Sequence, residues 1–398
     1  MPKRVADDAV PTVTISRRGA DRLRDGHVWV YRSDVVSADG VSPGAQIRIQ
    51  DERGKFFGTA LYSTASQIAI RLISRERVED LESLIRQRIR DAISYRGRVV
   101  DNSDAYRLVF SEADFLPGLI VDRYNNLLAL QVLTQGMDAD SVRATVLSEL
   151  GEQMKPDGIV ERVDSKIREL EQLPPRPAGL LQGEKSNTIF SMNGVRFHYE
   201  SAGGQKTGAF LDQRENYAAA ARYAHGEALD VFCYQGGFAL HLAAGSCSQV
   251  TGVDSSRPAL ETAERNAALN GREIEWIEAN AFDLLRDYAS AGQQYDTIVL
   301  DPPAFAKGKR NLETALRGYK ELNLRALKML RPAGILVSCS CSYPVSAADF
   351  LEMLAESARD VHRSVRILEN RTQSRDHPSL LNVPETAYLK CVVATVSY

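Results

Sequence analysis

From Glu227 onward, β-rich runs alternate with helical runs, and this alternation constrains the fold more than any other feature of the 398 residues. Leu229–Phe232, Val250–Asp254, Ile274–Ile277, Thr297–Asp301 and Gly334–Val337 read as strands, with stretches of helical spacing between them. Val365–Leu368 and Leu389–Ala394 add two more strands. Strands separated by helices predict a doubly wound parallel α/β sheet. Ligands of such sheets sit beyond the carboxyl ends of the strands, so residues at those ends are the first candidates for chemistry.

The first strand runs into Phe232-Cys233-Tyr234-Gln235-Gly236-Gly237-Phe238. Glycines there let backbone approach a ligand at a helix N-terminus. Asp254, followed by Ser255, ends the second strand, where an acid can hold ribose hydroxyls. Asn280-Ala281 ends the third, where an amide can meet an adenine edge. Together these features predict a nucleoside-bearing cofactor. The G-x-G-x-x-G fingerprint is absent, which argues against NAD. An ordinary strand–helix turn is the competing account at each position. The fourth strand ends in Asp301-Pro302-Pro303-Ala304-Phe305, whose prolines fix φ and aim Asp301 into the cleft. A plain helix cap is the alternative there.

The fifth strand ends in Ser338-Cys339-Ser340-Cys341-Ser342, which holds two of the five cysteines. A lone Cys-x-Cys lacks the partner ligands of a zinc site, and no metal is expected. Cys339, nearer the strand, suits core packing. Cys341 lies past it among serines at the ligand-bearing rim, and is assigned as a nucleophile.

Upstream, residues 12–75 read as short strands with one short basic helix. They carry ten Lys/Arg against six Asp/Glu, on a chain whose net charge is −3. The basic cluster is Arg17, Arg18, Arg22 and Arg24, which predicts a polyanion partner; a solvated helix face is the bland account. Residues 76–200 mix helices (Asp80–Tyr95, and from about Asp140 to Leu150) with strands, and Asn193-Gly194 signals a hairpin. Residues 1–11 read as a flexible N-terminus and 201–398 as the catalytic domain. No apolar h-region or membrane-length apolar run is read, so the expected compartment is the cytoplasm.

Four motifs carry a family resemblance over nearly the whole chain: Leu116–Tyr124, Lys206–Asn216, Asp301–Phe305 and Ser340–Ser342. The chain resembles the bacterial large-subunit rRNA cytosine 5-methyltransferases, which join a PUA RNA-binding module to a class I S-adenosylmethionine (SAM) methyltransferase domain. The resemblance implies a PUA module at 12–75, a middle α+β domain at 76–200 and a Rossmann-like SAM-dependent domain at 201–398. It implies large-subunit rRNA as partner, and a homodimer is admitted. It also implies that Lys206–Asn216 leads into the SAM pocket. The expected cofactor set is therefore Phe210, Gln213, Arg214, Phe232, Tyr234, Gly236, Gly237, Asp254, Ser255, Asn280, Ala281, Asp301 and Pro302. Cys341 and Asp301 are the expected catalytic pair. Many RNA cytosine methyltransferases carry a second cysteine where Pro303 stands, and the group that removes the carbon 5 proton has no assignment. Two rival readings remain at this level: an amino-methyltransferase, which needs no thiol, and an RNA-binding factor without catalysis.

Overall fold

In Gln46–Asp51 every second residue is buried, with Ile47, Ile49 and Asp51 facing inward. This period of two makes one sheet face apolar and forces it against a core. The computed structural model describes residues 10–201, 209–306 and 308–397. The described residues divide into two units: one of residues up to Val100 with Tyr106–Thr188 and Asp376–Thr386, the other of Asp101–Ala105, Ile189–Arg375 and the chain from Ala387. Most of the N-terminal segment expected to be flexible lies outside the described residues.

The first unit holds two sheets. A six-stranded sheet runs Trp29–Tyr31, Ile68–Ser74, Phe56–Tyr62, Gln46–Asp51, Thr12–Ile15, Val35–Ser37 across its width. Asp51 closes the turn between its central strands by accepting the Arg53 and Lys55 N–H groups, both at 3.0 Å. Gly54 takes φ of 77° in that turn. Arg17–Arg24 forms a short α-helix, capped by Ser16 accepting the Gly19 N–H. The five-stranded sheet, Gly179–Gly183, Gly158–Glu161, Leu127–Val132, Leu119–Tyr124 and Ala105–Phe110, shares an apolar core with helices Leu81–Val99 and Asp140–Met154. The strands Gly158–Glu161 and Gly179–Gly183 carry no signal that sequence reading picked up. Asp376–Thr386, far along the chain, also belongs to this unit. Val383 is fully buried in the core of the six-stranded sheet, and the Asp376 carboxylate accepts the Arg107 N–H at 2.8 Å.

The second unit is built on a seven-stranded sheet. Its strands are β1 Gly226–Val231, β2 Cys247–Asp254, β3 Glu275–Glu278, β4 Tyr295–Leu300, β5 Leu330–Ser340, β6 Ser364–Arg371 and β7 Lys390–Ser397, in spatial order β3-β2-β1-β4-β5-β7-β6. Helices α1 Arg214–Tyr223, α2 Gly237–Ala244, α3 Arg257–Leu269, α4 Ala281–Ser290, α5 Leu312–Met329 and α6 Ala347–Asp360 accompany it. Strands β1 to β5 run parallel. The expectation of a parallel sheet is corrected at one edge: β7 inserts between β5 and β6 and is antiparallel to both. Strands β1, β2 and β4 have buried cores, with Leu229, Val231, Val253, Ile298 and Leu300 packed with Leu322 of α5 and Leu336 of β5. Asn193, at φ of 52°, and Gly194, at φ of 83°, make the expected hairpin turn between Asn187–Met192 and Val195–Glu200. The strand order reverses direction between β1 and β4, and the crevice beyond their carboxyl ends is where an open α/β sheet admits a ligand.

Candidate active site

A narrow cleft opens at this reversal, lined by Phe210, Phe232, Tyr234, Gly237, Asp301 and neighbouring aromatic residues. Its floor is the turn after β1, and the backbone there is bent hard. Phe232 and Tyr234 both sit at positive φ, 68° and 50°, in a region costly for residues with a Cβ. Gly236 follows at φ of 83° and serves as the N-cap of α2. A Cβ on Gly236 would stand 2.9 Å from the Trp276 ring, and one on Gly237 only 2.5 Å from Tyr217. Close packing thus requires glycine at both positions, and at Gly236 φ requires it as well. Asp254 ends β2 and locks this turn: one carboxylate oxygen accepts the Tyr234 N–H and the other the Ser256 N–H, each at 2.9 Å.

Of the remaining residues expected to bind a cofactor, Ser255 is exposed beside Asp254, and Asn280 caps α4 by accepting the Phe282 and Asp283 N–H groups. Ala281 is buried in the first turn of α4. Arg214 is buried, with its guanidinium 3.3 Å from Glu215. Phe210 is half exposed and meets Tyr234 edge to face, with centroids 5.2 Å apart. Gln213 does something more specific: its amide donates to Asp301 at 2.9 Å, and its own oxygen accepts from Asn216 at 2.7 Å. Lys206, Thr207 and Gly208 lie outside the described residues.

Asp301 and Pro302 leave β4 at the same rim. Burial pushes the Asp301 carboxyl up to about 8, and nearby Asp212 and Asp230 add to the rise against the Gln213 hydrogen bond. Asp230 is itself fully buried in β1, raised to about 7 by burial, and holds the Ala239 N–H at 2.8 Å.

On the neighbouring strand, the two adjacent cysteines part ways. Cys339 is within β5, fully buried and opposite Cys391 of β7. Cys341 follows the last residue of β5, is only partly buried, and its Sγ points at the Pro302 carbonyl 3.9 Å away. Burial pushes its thiol up to about 12, helped by Asp301 and Asp212 and opposed by Lys390. Ser342 ties the two loops together. Its Oγ accepts the Ala306 N–H at 3.1 Å and meets the Tyr319 hydroxyl at 2.9 Å. Sequence reading missed Tyr319, Asp212 and Lys390. Lys390 left a trace, as the single charge within Leu389-Lys390-Cys391-Val392-Val393-Ala394.

The basic cluster of the first unit is largely paired. Arg18 and Arg22 both bind Asp34, which is 1% exposed; Arg24 binds Asp21 and Asp51; Arg17 lies near Asp21. Of the four, Arg17 and Arg18 keep most of their side chains in solvent, at 92% and 66%. Arg17, Arg18 and Arg22 line a broad surface groove with His27 and Asn382. Among the described residues, no helix is long and apolar enough to cross a membrane.

Residues 169–393 match the model of an S-adenosylmethionine-dependent methyltransferase family, and 13–75 that of a PUA-like domain. The chain is 36% identical over 383 residues to ribosomal RNA large subunit methyltransferase I of Photobacterium profundum, covering 92% of this chain and 95% of that one. It is 38% identical to the protein of the same name from Tolumonas auensis, covering 96% and 98%. Among solved structures, SMU.776 complexed with SAH superposes with a TM-score of 0.83 at 17% identity, over 97% of this chain and 100% of that one. At that identity the likeness carries the fold. The glycine turn without room for a Cβ, the aromatic walls and Asp254 suit an adenosine-bearing donor.

Proposed function

The chain belongs to the ribosomal RNA large subunit methyltransferase I family, with a PUA-like and a SAM-dependent methyltransferase domain, and from this we propose that it methylates carbon 5 of a cytosine in large-subunit rRNA through an adduct on Cys341. The observation that carries the reading is the approach of Cys341 to the Asp301–Pro302 exit, 3.9 Å from Sγ to the Pro302 oxygen. A thiol and a carboxyl at the ends of adjacent strands can grip one pyrimidine from two sides.

Carbon 5 of cytosine is a poor nucleophile. Addition of the Cys341 thiolate to carbon 6 breaks the ring's aromaticity and turns carbon 5 into an enamine carbon. Asp301 faces the N3/N4 edge; being neutral below about pH 8, it donates to N3 as negative charge develops there, while its carbonyl oxygen accepts from the exocyclic amine. When bound, SAM supplies the electrophilic methyl group that carbon 5 takes. Loss of the carbon 5 proton then expels the cysteine and restores the aromatic base. Phe210, Tyr234, Gly236, Gly237 and Asp254 are the residues we assign to holding the donor, with residues 12–75 supplying RNA affinity. A target base within folded RNA has to be unstacked to reach a rim of this depth.

The test is Cys341→Ala with mass-spectrometric mapping of the methylated base. The variant is expected to lose methyl transfer while binding SAM normally, and Cys339→Ala is expected to keep substantial activity. RNA carrying 5-fluorocytosine at the target is expected to trap a covalent adduct, since fluorine cannot leave as a proton does. An active Cys341→Ala enzyme giving the same product would overturn the thiol mechanism, and a product methylated on the exocyclic amine would favour transfer there. An adduct on Cys339 would reassign the nucleophile.

A further inference from the structure

Lys390 is 8% exposed, yet it carries an amine into the apolar strand β7. Burying a lysine without partners is costly, so its contacts ask for an account. It pairs in register with Ser340, the last residue of β5, which puts its side chain under the turn that carries Cys341. The Nζ donates to the Ser342 carbonyl at 2.7 Å and to the Tyr388 carbonyl at 2.9 Å. Both acceptors are backbone oxygens of loops at the rim, and neither is an acid. Among the described residues the ammonium makes no salt bridge, and the ionisable group its charge acts on adjoins the carbonyl it holds.

That group is Cys341. The charges around the thiol come from three directions. Asp301 at the exit of β4 and Asp212 just before α1 both oppose a thiolate, and Lys390 from β7 favours it. Tyr319 of α5 lies nearby as a neutral phenol bound to Ser342. The coupling is reciprocal: burial lowers the Lys390 amine to about 8, and Cys341 is the one group that acts against that fall.

We propose that Lys390 is a positioning residue for the nucleophile: its ammonium pins the Cys341–Ser342 turn through two carbonyls and supplies the positive charge that makes the Cys341 thiolate accessible. The proposal rests on the reading of Cys341 as nucleophile, but its chemistry is testable on the thiol alone. No atom of Lys390 enters the product; the residue acts by holding geometry and field.

The experiment is the pH dependence of Cys341 alkylation by iodoacetamide in the full chain, read by peptide mass spectrometry beside SAM affinity. Lys390→Gln keeps hydrogen-bond donors without charge, and Lys390→Met removes both. Both are expected to slow alkylation of Cys341 near neutral pH by about tenfold or more, the equivalent of one pKa unit on the thiol. Lys390→Arg is expected to keep the wild-type rate there. It should also outpace the wild type above about pH 8, because arginine stays charged where Lys390 loses its proton. This last comparison decides the matter if the uncharged variants do not fold. Superimposable alkylation profiles for wild type and Lys390→Arg, or for wild type and a folded Lys390→Gln, would overturn the proposal. The alkylation readout does not depend on methyl transfer. An active Cys341→Ala enzyme would sink the nucleophile reading and leave the effect of Lys390 on the thiol as measured.

Discussion

Cys339 and Cys341 are chemically alike and two residues apart, and one strand end separates their roles. Inside β5, Cys339 is fixed against Cys391 and shut off from solvent. One residue past the strand, Cys341 keeps access to the rim. The sequence alone supports this division, because alternation within a strand and its loss beyond it follow from backbone geometry. What it does not convey is the field around the thiol, which comes from Asp212, Asp301 and Lys390 on three separate elements. Asp301 makes the most direct residue-level prediction. Its folded pKa stands near 8, so it is neutral at pH 7 and loses its proton as pH rises through about 8. If the neutral carboxyl donates to N3, the rise of methyl transfer with Cys341 ionisation should bend over to a level alkaline limb above about pH 8. Asp301→Asn keeps a donor and an acceptor but cannot titrate; it is expected to lower kcat roughly 10²-fold and to abolish the limb. The measurement belongs in a Lys390→Arg background, so that the Lys390 amine no longer titrates in that range, and beside an Asp230→Asn control, because Asp230 titrates close by. An unchanged alkaline limb in Asp301→Asn would assign it to another group.

At the scale of elements, the turn from β1 into α2 shows how neighbouring elements fix a short glycine motif. Asp254 from β2, Tyr217 from α1 and Trp276 from β3 all press on it. The glycine pair was legible in the sequence, since glycine marks close approach after a strand. The identities of the groups that press on it were not, because they come from elements brought together only by the sheet order. Gly237→Ala therefore carries a defined cost. Its Cβ would lie 2.5 Å from Tyr217, and the ring cannot retreat freely because Tyr217 is nearly fully buried against Phe238 and His241. The variant should lose about 1–3 kcal/mol of stability through overpacking. It should also bind SAM more weakly, as calorimetry would record; wild-type stability and affinity together would show that the turn yields. The strand edge tells a related story. Val365–Leu368 and Leu389–Ala394 read correctly as strands, but their antiparallel setting is a property of connections, which local periodicity does not encode.

Across the whole molecule, composition pointed to a basic N-terminal module, and the structure changes what that charge can do. A surplus of positive charge on residues 12–75 is a count, whereas RNA affinity depends on which guanidinium groups remain available to phosphate. Asp34 sits buried between Arg18 and Arg22, and Arg24 bridges to two further acids. Such pairing cannot be read along the chain, because Asp34 comes from a different element than the arginine helix. The four arginines therefore separate into two kinds. Arg17 and Arg18, mostly exposed on the groove, are the ones able to meet a phosphate. Arg22, largely covered, neutralises Asp34 and stacks on Tyr31 with its guanidinium carbon 4.5 Å from the ring centroid. Replacing Arg17 and Arg18 with Ala should weaken RNA binding, and should reduce the slope of log affinity against log salt by about 0.7–0.9 per lost phosphate contact. Arg17→Ala alone should leave thermal stability nearly unchanged, whereas losing Arg18 also removes a partner of buried Asp34 and should lower it. Arg22→Ala should cost roughly 1–3 kcal/mol of stability by stripping a partner from the same buried carboxylate while leaving the salt slope near wild type. Filter binding over a salt series together with thermal melts checks both halves. If Arg17 and Arg18 can be removed without altering the slope, the cluster is a solvated helix face and RNA is held elsewhere on the chain.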